Sequence, residues 1–470
     1  MRVQKFAPMS KDYPTFDCDA HVTEPTVIWE RAKDLLTGDE LEALKATDWY
    51  DADSKQYLIN GKTGGHLLGL RGRAGGLPGV SLAGPGIKHD VQRTLNVRNL
   101  RAGTALTREQ SDYLDHAGSY EPGPRLRDMD IQGIDQVMII PTDIDTYPWL
   151  QNALGARAMC KAYNEWAHEY TLEDPQRIFF AALIPMQDPR FAVEELYRVA
   201  AKGCRVALVR PTDAMGNYPV QPKYEFLWHA MEETGVVYGM HPFPALSEHV
   251  PPGYTEQCSP AQLIQLTMPS SRIPHVFLGN MQAFMAEASV WVTATLMSGF
   301  FERHPKIKAA VFESDSTWLS FVLDECDKAF KLYRNRRQMP ALKRLPSETF
   351  FAHCFSGFEG DESFPSHLPE FYRDICAWSS DVYHHDGDDA WRAIETMRKC
   401  ELPVADQAKM LGANARRLYN IKPPKNVIRD RVTEIERPDW WPTPEEIKAA
   451  LGPEAGVIPQ RQTQVAQSAK

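Results

Sequence analysis

Several features that would identify a protein class are scarce or missing in this chain of 470 residues. It has eight cysteines and no CxxC pair, so we expect reduced, mostly buried thiols rather than a disulfide framework. Its longest apolar stretch, Phe179 to Met186, is far too short to cross a bilayer. The first residues also have no apolar segment of the secretory type. We therefore expect a soluble, cytoplasmic protein with no membrane partner.

The chain also has no excess of basic over acidic residues. The 52 Lys and Arg are outnumbered by 62 Asp and Glu, which gives a formal net charge of −10. A protein that follows nucleic-acid phosphates normally has a basic surface, so no nucleic-acid partner is expected. What the chain does have is 43% hydrophobic residues, enough to build a large core, and this excludes a disordered chain.

Short apolar runs alternate with helical patterns along most of the chain. Eight runs qualify as strands: Thr15–Val22, Gln136–Pro141, Phe179–Pro185, Arg205–Arg210, Val236–His241, Ile307–Glu313, Phe350–Phe355 and Ile375–Asp381. Strands separated by helices are typical of parallel βα units, and eight units predict a closed (β/α)8 TIM barrel. The alternative is an open doubly wound sheet. That fold usually has a GxGxxG turn after a strand, and this sequence has none.

Two segments interrupt or follow this alternation. Residues 38–124 are rich in glycine and too long for an ordinary connection, so we interpret them as an insertion that covers or borders a site. Residues 421–470 form a C-terminal extension with a Trp440–Trp441 step. The predicted organisation is a barrel over 1–420 with the insertion at 38–124, followed by the extension.

Functional groups of a barrel lie at the carboxyl ends of its strands, so polar residues there are the candidates. Asp19 and His21 end the first strand at positions i and i+2, and both can therefore reach one cation. A carboxylate with an imidazole suits Zn²⁺ or Mn²⁺. The alternative is a turn in which the carboxylates are merely solvated.

His241 and Asp381 also end strand candidates. His241 is either a ligand of the same cation or a core histidine that donates to a carbonyl. Asp381 can bind the metal and take a proton from metal-bound water, or it can cap the next helix. His384 and His385 follow closely, and we assign His384 at most a supporting role beside the ligands.

Two further strand ends carry charged residues. Glu313 follows the run IKAAVF and could act as a general acid or base, a further ligand, or a residue that orients another ligand. Alternatively, it only accepts hydrogen bonds from the backbone of the following loop. Arg210 ends VALVR, where its guanidinium could hold a substrate carboxylate through two hydrogen bonds. A structural salt bridge is equally compatible with Arg210. No GxSxG or HExxH motif is present.

Six segments in order resemble the amidohydrolase-related family, which includes aminocarboxymuconate-semialdehyde, resorcylate and carboxyvanillate decarboxylases. They are FDCDAHVTEP, RLRDMDIQGIDQVMIIPT, RIFFAALIPMQDPRFAVEEL, SGFFERHPKIKAAVFESDSTW, WSSDVYHHDG and MLGANARRLYNI, between about Phe16 and Ile421. The resemblance implies a distorted (β/α)8 barrel with one divalent metal ion, usually Zn²⁺ or Mn²⁺. It assigns the ligands to Asp19, His21, His241 and Asp381, with proton transfer by Asp381.

One position departs from that pattern. The decarboxylases usually have a histidine after the strand occupied here by KIKAAVF, and this chain has Glu313. Glutamate differs from imidazole in charge at neutral pH, so the proton relay of the decarboxylases does not transfer directly.

Three hypotheses follow for the function. The first is metal-dependent hydrolysis of a small cyclic or aromatic carboxylated substrate by activated water, assisted by Asp381 and Glu313. The second is non-oxidative decarboxylation of an aromatic or muconate-type acid, which requires the same ligands, and the third is a barrel that binds metal or ligand without turnover. The Glu313 departure favours hydrolysis slightly. The tail and the resemblance also predict a homodimer or larger assembly.

Overall fold

The computed structural model describes residues 1–25, 27–46, 117–142, 144–210, 217–242, 277–384 and 387–451, with short stretches at 50–51, 56–59, 62–63, 94–95, 107 and 109–110. Most of the insertion predicted at 38–124 lies outside the described residues. A helix predicted near Ala261 to Leu266, His385 and the last 19 residues lie outside them as well.

The described strands, in chain order, are β1 (Arg2–Lys5), β2 (Phe16–His21), β3 (Tyr50–Asp51), β4 (Gln56–Ile59), β5 (Lys62–Thr63), β6 (Gln136–Ile140), β7 (Ile178–Leu183), β8 (Val206–Val209), β9 (Val237–Met240), β10 (Ala309–Val311), β11 (Cys354–Glu359), β12 (Cys376–Ser379) and β13 (Glu434–Arg437). The first half of the described α-helices are α1 (Val27–Leu35), α2 (Gly38–Ala46), α3 (Pro122–Gln132), α4 (Ala153–Thr171), α5 (Pro189–Ala201), α6 (Glu225–Thr234), α7 (Phe277–Met297) and α8 (Phe300–Arg303). The others are α9 (Thr317–Tyr333), α10 (Pro346–His353), α11 (Phe364–His367), α12 (Pro369–Tyr372), α13 (Ala390–Lys399), α14 (Val404–Ala408), α15 (Asn414–Tyr419) and α16 (Pro444–Leu451).

Eight strands form one parallel sheet in the order β12-β11-β10-β9-β8-β7-β6-β2. The sheet bends round until its two edge strands meet. There, the backbone N–H of Asp381 donates to the carbonyl of Asp19 at 3.0 Å. The predicted (β/α)8 barrel is confirmed, and the contact between its edges brings the ends of the first and last strands together.

Local signals in the sequence explain where the helices that flank the barrel begin and end. Asn152 begins α4 by accepting hydrogen bonds from the amides of Leu154 and Gly155, and Asp188 begins α5 in the same way. Gly133 ends α3 in the left-handed conformation at φ +74°, which a residue with a side chain rarely adopts. The apolar faces of these helices pack on the outer face of the sheet.

The strand predicted at Phe350–Phe355 is wrong. Most of that run belongs to α10, and the strand β11 begins at Cys354. Pro346 lies in the first turn of α10, and the carboxylate of Glu348 accepts the amide of Leu345 at 3.0 Å, so a helix begins here. Phe350 lies in this helix and is buried, as it would also be in a strand. A short apolar run therefore does not distinguish a helix from a strand.

Outside the barrel, β1 pairs antiparallel with β13, so the N-terminal strand lies against the C-terminal extension. In that extension Trp441 is buried beneath the guanidinium of Arg437, which lies 4.3 Å from the ring centroid. The seven cysteines in the described part of the chain are free, and six of them are buried. Among the described helices, none combines the length and apolar character needed to cross a membrane.

Candidate metal centre

The first strand contributes two side chains to the inside of the barrel. Asp19 and His21 lie at the end of β2 and are almost fully buried. The pairing of β2 with β6 shifts register between Asp17 and Ala20. At this irregularity the carboxylate of Asp17 accepts a hydrogen bond from the backbone amide of Asp19 at 3.2 Å. Asp17 therefore holds the backbone that carries the two candidate ligands.

The last strand is attached to the first at the same point. Ser380 donates both its backbone amide, at 3.0 Å, and its hydroxyl to the carboxylate of Asp17. The next residue, Asp381, has φ +53°, an unusual conformation for a residue other than glycine. This turn directs the Asp381 carboxylate toward His21, whose Nε2 lies 3.4 Å from Asp381 Oδ1.

The four residues predicted as ligands lie together. His21 Nε2 is also 3.3 Å from Asp19 Oδ1, and His241 Nε2 is 3.9 Å from Asp19 Oδ2. Atoms that bind one ion at about 2.1 Å lie roughly 3 Å apart, so these separations are compatible with a shared divalent cation.

The hydrogen bonds around the cluster support this interpretation. The carbonyl of Pro141, which can only accept, lies 2.9 Å from His21 Nδ1, so Nδ1 carries the proton and Nε2 presents its lone pair to the cluster. Among the described residues, neither carboxylate oxygen of Asp19 nor Nε2 of His21 has a hydrogen-bond partner. Buried polar atoms are rarely left without one, and a cation would satisfy all three.

Glu313 lies against His241. The turn after β10 gives Glu313 a φ of +46°, and its Oε2 lies 2.7 Å from His241 Nε2. Burial alone would lower the pKa of His241, but the charges of Glu313 and Asp19 outweigh it and raise that pKa to about 9. For His21, burial and the nearby His384 outweigh the charge of Glu313 and hold its pKa well below the usual range, whereas burial raises the pKa of Asp19.

His384 contacts the cluster from the loop after β12. Its ring stacks on His21 with centroids 3.7 Å apart, and its Nδ1 lies 2.8 Å from Asp381 Oδ1. Thr142 Oγ1 is 3.2 Å from His384 Nε2 and 3.2 Å from His21 Nδ1. His384 therefore lies beside the candidate ligands and in contact with Asp381, and its supporting role stays a prediction.

Arg210 follows β8, as predicted, and is buried. Its guanidinium forms an ion pair with the buried carboxylate of Glu287 on α7. This contact corresponds to the structural alternative in the sequence analysis. Binding of a substrate carboxylate by Arg210 stays a prediction.

Sequence reasoning missed the residues that support the cluster from outside it. Arg125 on α3 donates to the carbonyl of His21 and, at 3.0 Å, to that of Gly118, and its guanidinium lies 4.3 Å from the ring centroid of Tyr383. The Tyr383 hydroxyl donates to Asp128. Arg125 and Asp128 lie in the segment RLRDMD. Arginine is rarely buried, and nothing in this segment indicates that Arg125 is almost fully buried in the structure.

The family model described as amidohydrolase matches residues 16–421. A gamma-resorcylate decarboxylase from Rhizobium sp. (strain MTP-10005) is 25% identical over 309 residues, which cover 63% of this chain and 86% of the relative.

Solved structures share the fold. An amidohydrolase from Mycobacterium avium subsp. paratuberculosis K-10 aligns with a TM-score of 0.62 at 20% identity, over 87% of this chain and 100% of the other. A dihydroxybenzoic acid decarboxylase from Polaromonas sp. JS666, solved with bound manganese and the inhibitor 2-nitroresorcinol, aligns with a TM-score of 0.53 at 14% identity, over 87% and 97%. Since the family model spans most of the chain, from the first barrel strand to the end of α15, the protein belongs to the amidohydrolase family of enzymes.

Proposed function

We propose that the protein is a divalent-metal-dependent, non-oxidative decarboxylase of a small aromatic hydroxy acid. The observation that supports this most is the position of Asp381, which lies among the proposed metal ligands and also contacts His384 at 2.8 Å. A carboxyl group in this position can both bind an ion and transfer a proton. The similarity to a gamma-resorcylate decarboxylase indicates the substrate class.

The proposed ligands are Asp19, His21, His241 and Asp381. Their two carboxylates and two imidazoles suit Mn²⁺ or Zn²⁺, and the manganese of the Polaromonas structure makes Mn²⁺ the first ion to test. The bound ion would supply Lewis acidity, drawing electron density from the oxygen atoms of the substrate. Arg210, which is paired with Glu287, is the candidate for contact with the substrate carboxylate.

The remaining chemistry belongs to the side chains. Asp381 in its acid form gives its proton to the ring carbon that carries the carboxylate. The bond from that carbon to the carboxyl carbon then breaks, its electron pair stays with the ring, and CO₂ leaves. Hydrogen has replaced the carboxylate, and neither an oxidant nor a reductant is needed. His384 then returns a proton to Asp381, because its Nδ1 is within hydrogen-bonding distance of that carboxylate.

Metal-dependent hydrolysis, expected first from the sequence, is the second candidate. One observation favours it: Glu313 places a carboxylate 2.7 Å from His241 at the edge of the cluster, where it could assist proton transfer to a leaving group. The relatives favour decarboxylation, so hydrolysis ranks below it.

One assay separates these functions. The purified protein is loaded with Mn²⁺ or Zn²⁺ and incubated with a panel of mono- and dihydroxybenzoates, and released CO₂ and the arene product are measured together. Decarboxylation predicts CO₂ and arene in equal amounts, only after metal loading. Hydrolysed products from cyclic amides or esters without CO₂ would replace this proposal by hydrolysis. A protein that binds metal and turns over neither the hydroxybenzoates nor cyclic amides and esters would contradict both functions.

A further inference from the structure

A second group of histidines and carboxylates lies away from the barrel interior. Glu225, His229 and Glu232 occupy positions i, i+4 and i+7 of α6 and therefore share one face of that helix. His304, which follows α8, packs against this face, with its ring centroid 5.1 Å from that of His229. Glu225, His229 and His304 each offer a possible ligand atom within 4.8 Å of the others.

The hydrogen bonds determine which nitrogen of His304 faces the group. His304 Nε2 lies 2.9 Å from Glu225 Oε2, and a carboxylate accepts, so Nε2 carries the proton. The other oxygen of Glu225 accepts from Arg303 Nε at 3.1 Å, which fixes the carboxylate. His304 Nδ1 is then left with a lone pair.

That lone pair is buried. The His304 side chain has no exposed surface, and within the described part of the chain its Nδ1 has no hydrogen-bond partner. Glu232 Oε2 lies 3.8 Å from His304 Nδ1 and 3.7 Å from His229 Nδ1. The other oxygen, Glu232 Oε1, accepts a hydrogen bond from the backbone amide of Lys306 at 3.0 Å. Two ligand atoms about 2.1 Å from a tetrahedral ion lie about 3.4 Å apart, close to both distances.

We infer that His229, His304 and Glu232 form a second site for a divalent transition metal ion of the Zn²⁺ class, open to solvent on the His229 side. Glu225 is the positioning residue, since its bond to His304 Nε2 directs Nδ1 toward the ion. The His229 side chain is 59% exposed, which leaves a coordination position accessible to water. The ion would connect α6 to the turn before β10. This site shares no residue with the barrel centre and does not depend on the proposed function.

Counting bound Co²⁺ tests the inference. Co²⁺ adopts the tetrahedral geometry of Zn²⁺ sites, and its absorption reports the ligands. Full-length protein, stripped with a chelator, is titrated with Co²⁺ and the bound ion is counted after gel filtration. We expect two ions per wild-type chain and one per His229→Ala chain. His367→Ala, which removes another exposed histidine, should keep two.

The positioning role of Glu225 has its own measurement. Glu225→Gln should keep two ions and weaken the second about 10-fold, as changes to residues behind a metal-bound histidine do. Equal cobalt content in wild type and His229→Ala overturns the inference. One ion in wild type and none in His229→Ala would uphold this site and contradict the barrel centre instead. Circular dichroism verifies that each variant is folded.

Discussion

Glu313 Oε2 lies 2.7 Å from His241 Nε2, so a carboxylate contacts the nitrogen atom through which this histidine would bind a metal. The family resemblance leads one to expect an imidazole at position 313, and the chain instead has an anion there. In the metal-free protein the pair keeps His241 protonated, with a pKa of about 9, and an ion must displace that proton before His241 can coordinate it.

Glu313→Gln should therefore change the proton balance of metal binding. Below pH 9 the wild-type protein is expected to release about one proton from His241 per Mn²⁺, so its affinity should rise about 10-fold per pH unit from pH 7 to 9. Glutamine removes the charge that raises the pKa of His241, and the slope should become shallower. Calorimetry in buffers of different ionisation enthalpy counts the protons. Equal proton release in both proteins would contradict this role, and the exposed Glu325→Gln serves as control.

Asp381→Asn should leave the fold intact and nearly abolish turnover. The amide keeps the size of the carboxyl group but cannot deliver a proton, so kcat should fall about 10²- to 10⁴-fold. The measurement is CO₂ release per bound metal ion, because weaker metal binding alone would lower activity at limiting Mn²⁺. Asp324→Asn, which breaks only an exposed pair with Lys328, should retain full activity. Full activity of Asp381→Asn at saturating metal would exclude proton transfer by Asp381.

Thr142 is predicted to act through two histidines. Its hydroxyl lies 3.2 Å from His384 Nε2, and donation to this nitrogen leaves the ring proton on Nδ1, which is 2.8 Å from Asp381 Oδ1. Thr142→Val keeps the shape and removes the donor, so kcat should fall about 10-fold and its pH profile should shift, with little change in KM. Thr142→Ser should restore both kcat and the profile. A valine variant with the wild-type pH profile would show that the hydroxyl is not needed.

Asp17 should make the stability of the metal-free protein depend on pH. Burial raises its pKa to about 7 despite the hydrogen bonds from Ser380, whereas an unfolded aspartate has a pKa of about 3.9. The folded state then holds the extra proton between these values. The stabilisation is complete below about pH 4 and is lost as pH rises through 7, by about 4 kcal/mol at most.

Asp17→Asn is uncharged at every pH, so its free energy of unfolding should fall less than that of wild type between pH 5 and 8. Urea titrations of the chelated proteins at a series of pH values measure the difference. Glu362 accepts hydrogen bonds at the start of α9, and its burial raises its pKa to about 7, so some slope should remain in the variant. Identical slopes in wild type and Asp17→Asn would refute the assignment to Asp17.

The barrel could be predicted because its strands are buried apolar runs separated by helices, a pattern that depends on local sequence. The position of Asp19, His21, His241 and Asp381 in one cluster also followed, since all four end parallel strands. The boundary at Phe350 was wrong because the residues that begin α10, Pro346 and Glu348, decide between helix and strand outside the apolar run itself.

The supporting contacts were beyond the reach of the sequence. Arg125 and His21 are 104 residues apart, and nothing local indicates that a guanidinium donates to the backbone carbonyl of a candidate ligand. For Arg210 the sequence left a substrate contact and a structural salt bridge open, and it could not name the partner Glu287, which lies 77 residues further along the chain. Long-range pairings of this kind depend on the packing of helices around the sheet, which periodicity does not encode.

The hydrogen bond from the Asp381 amide to the Asp19 carbonyl has a consequence for folding. It joins residues at opposite ends of the barrel sequence. Closing so long a loop costs more conformational entropy than pairing two strands that follow each other in the sequence. Both residues also carry carboxylates of the proposed metal centre, so an ion that binds the side chains restrains the backbones that close the barrel. Metal loading should therefore suppress opening between β2 and β12, so the proposed ion would also be a cross-link between the first and last strands.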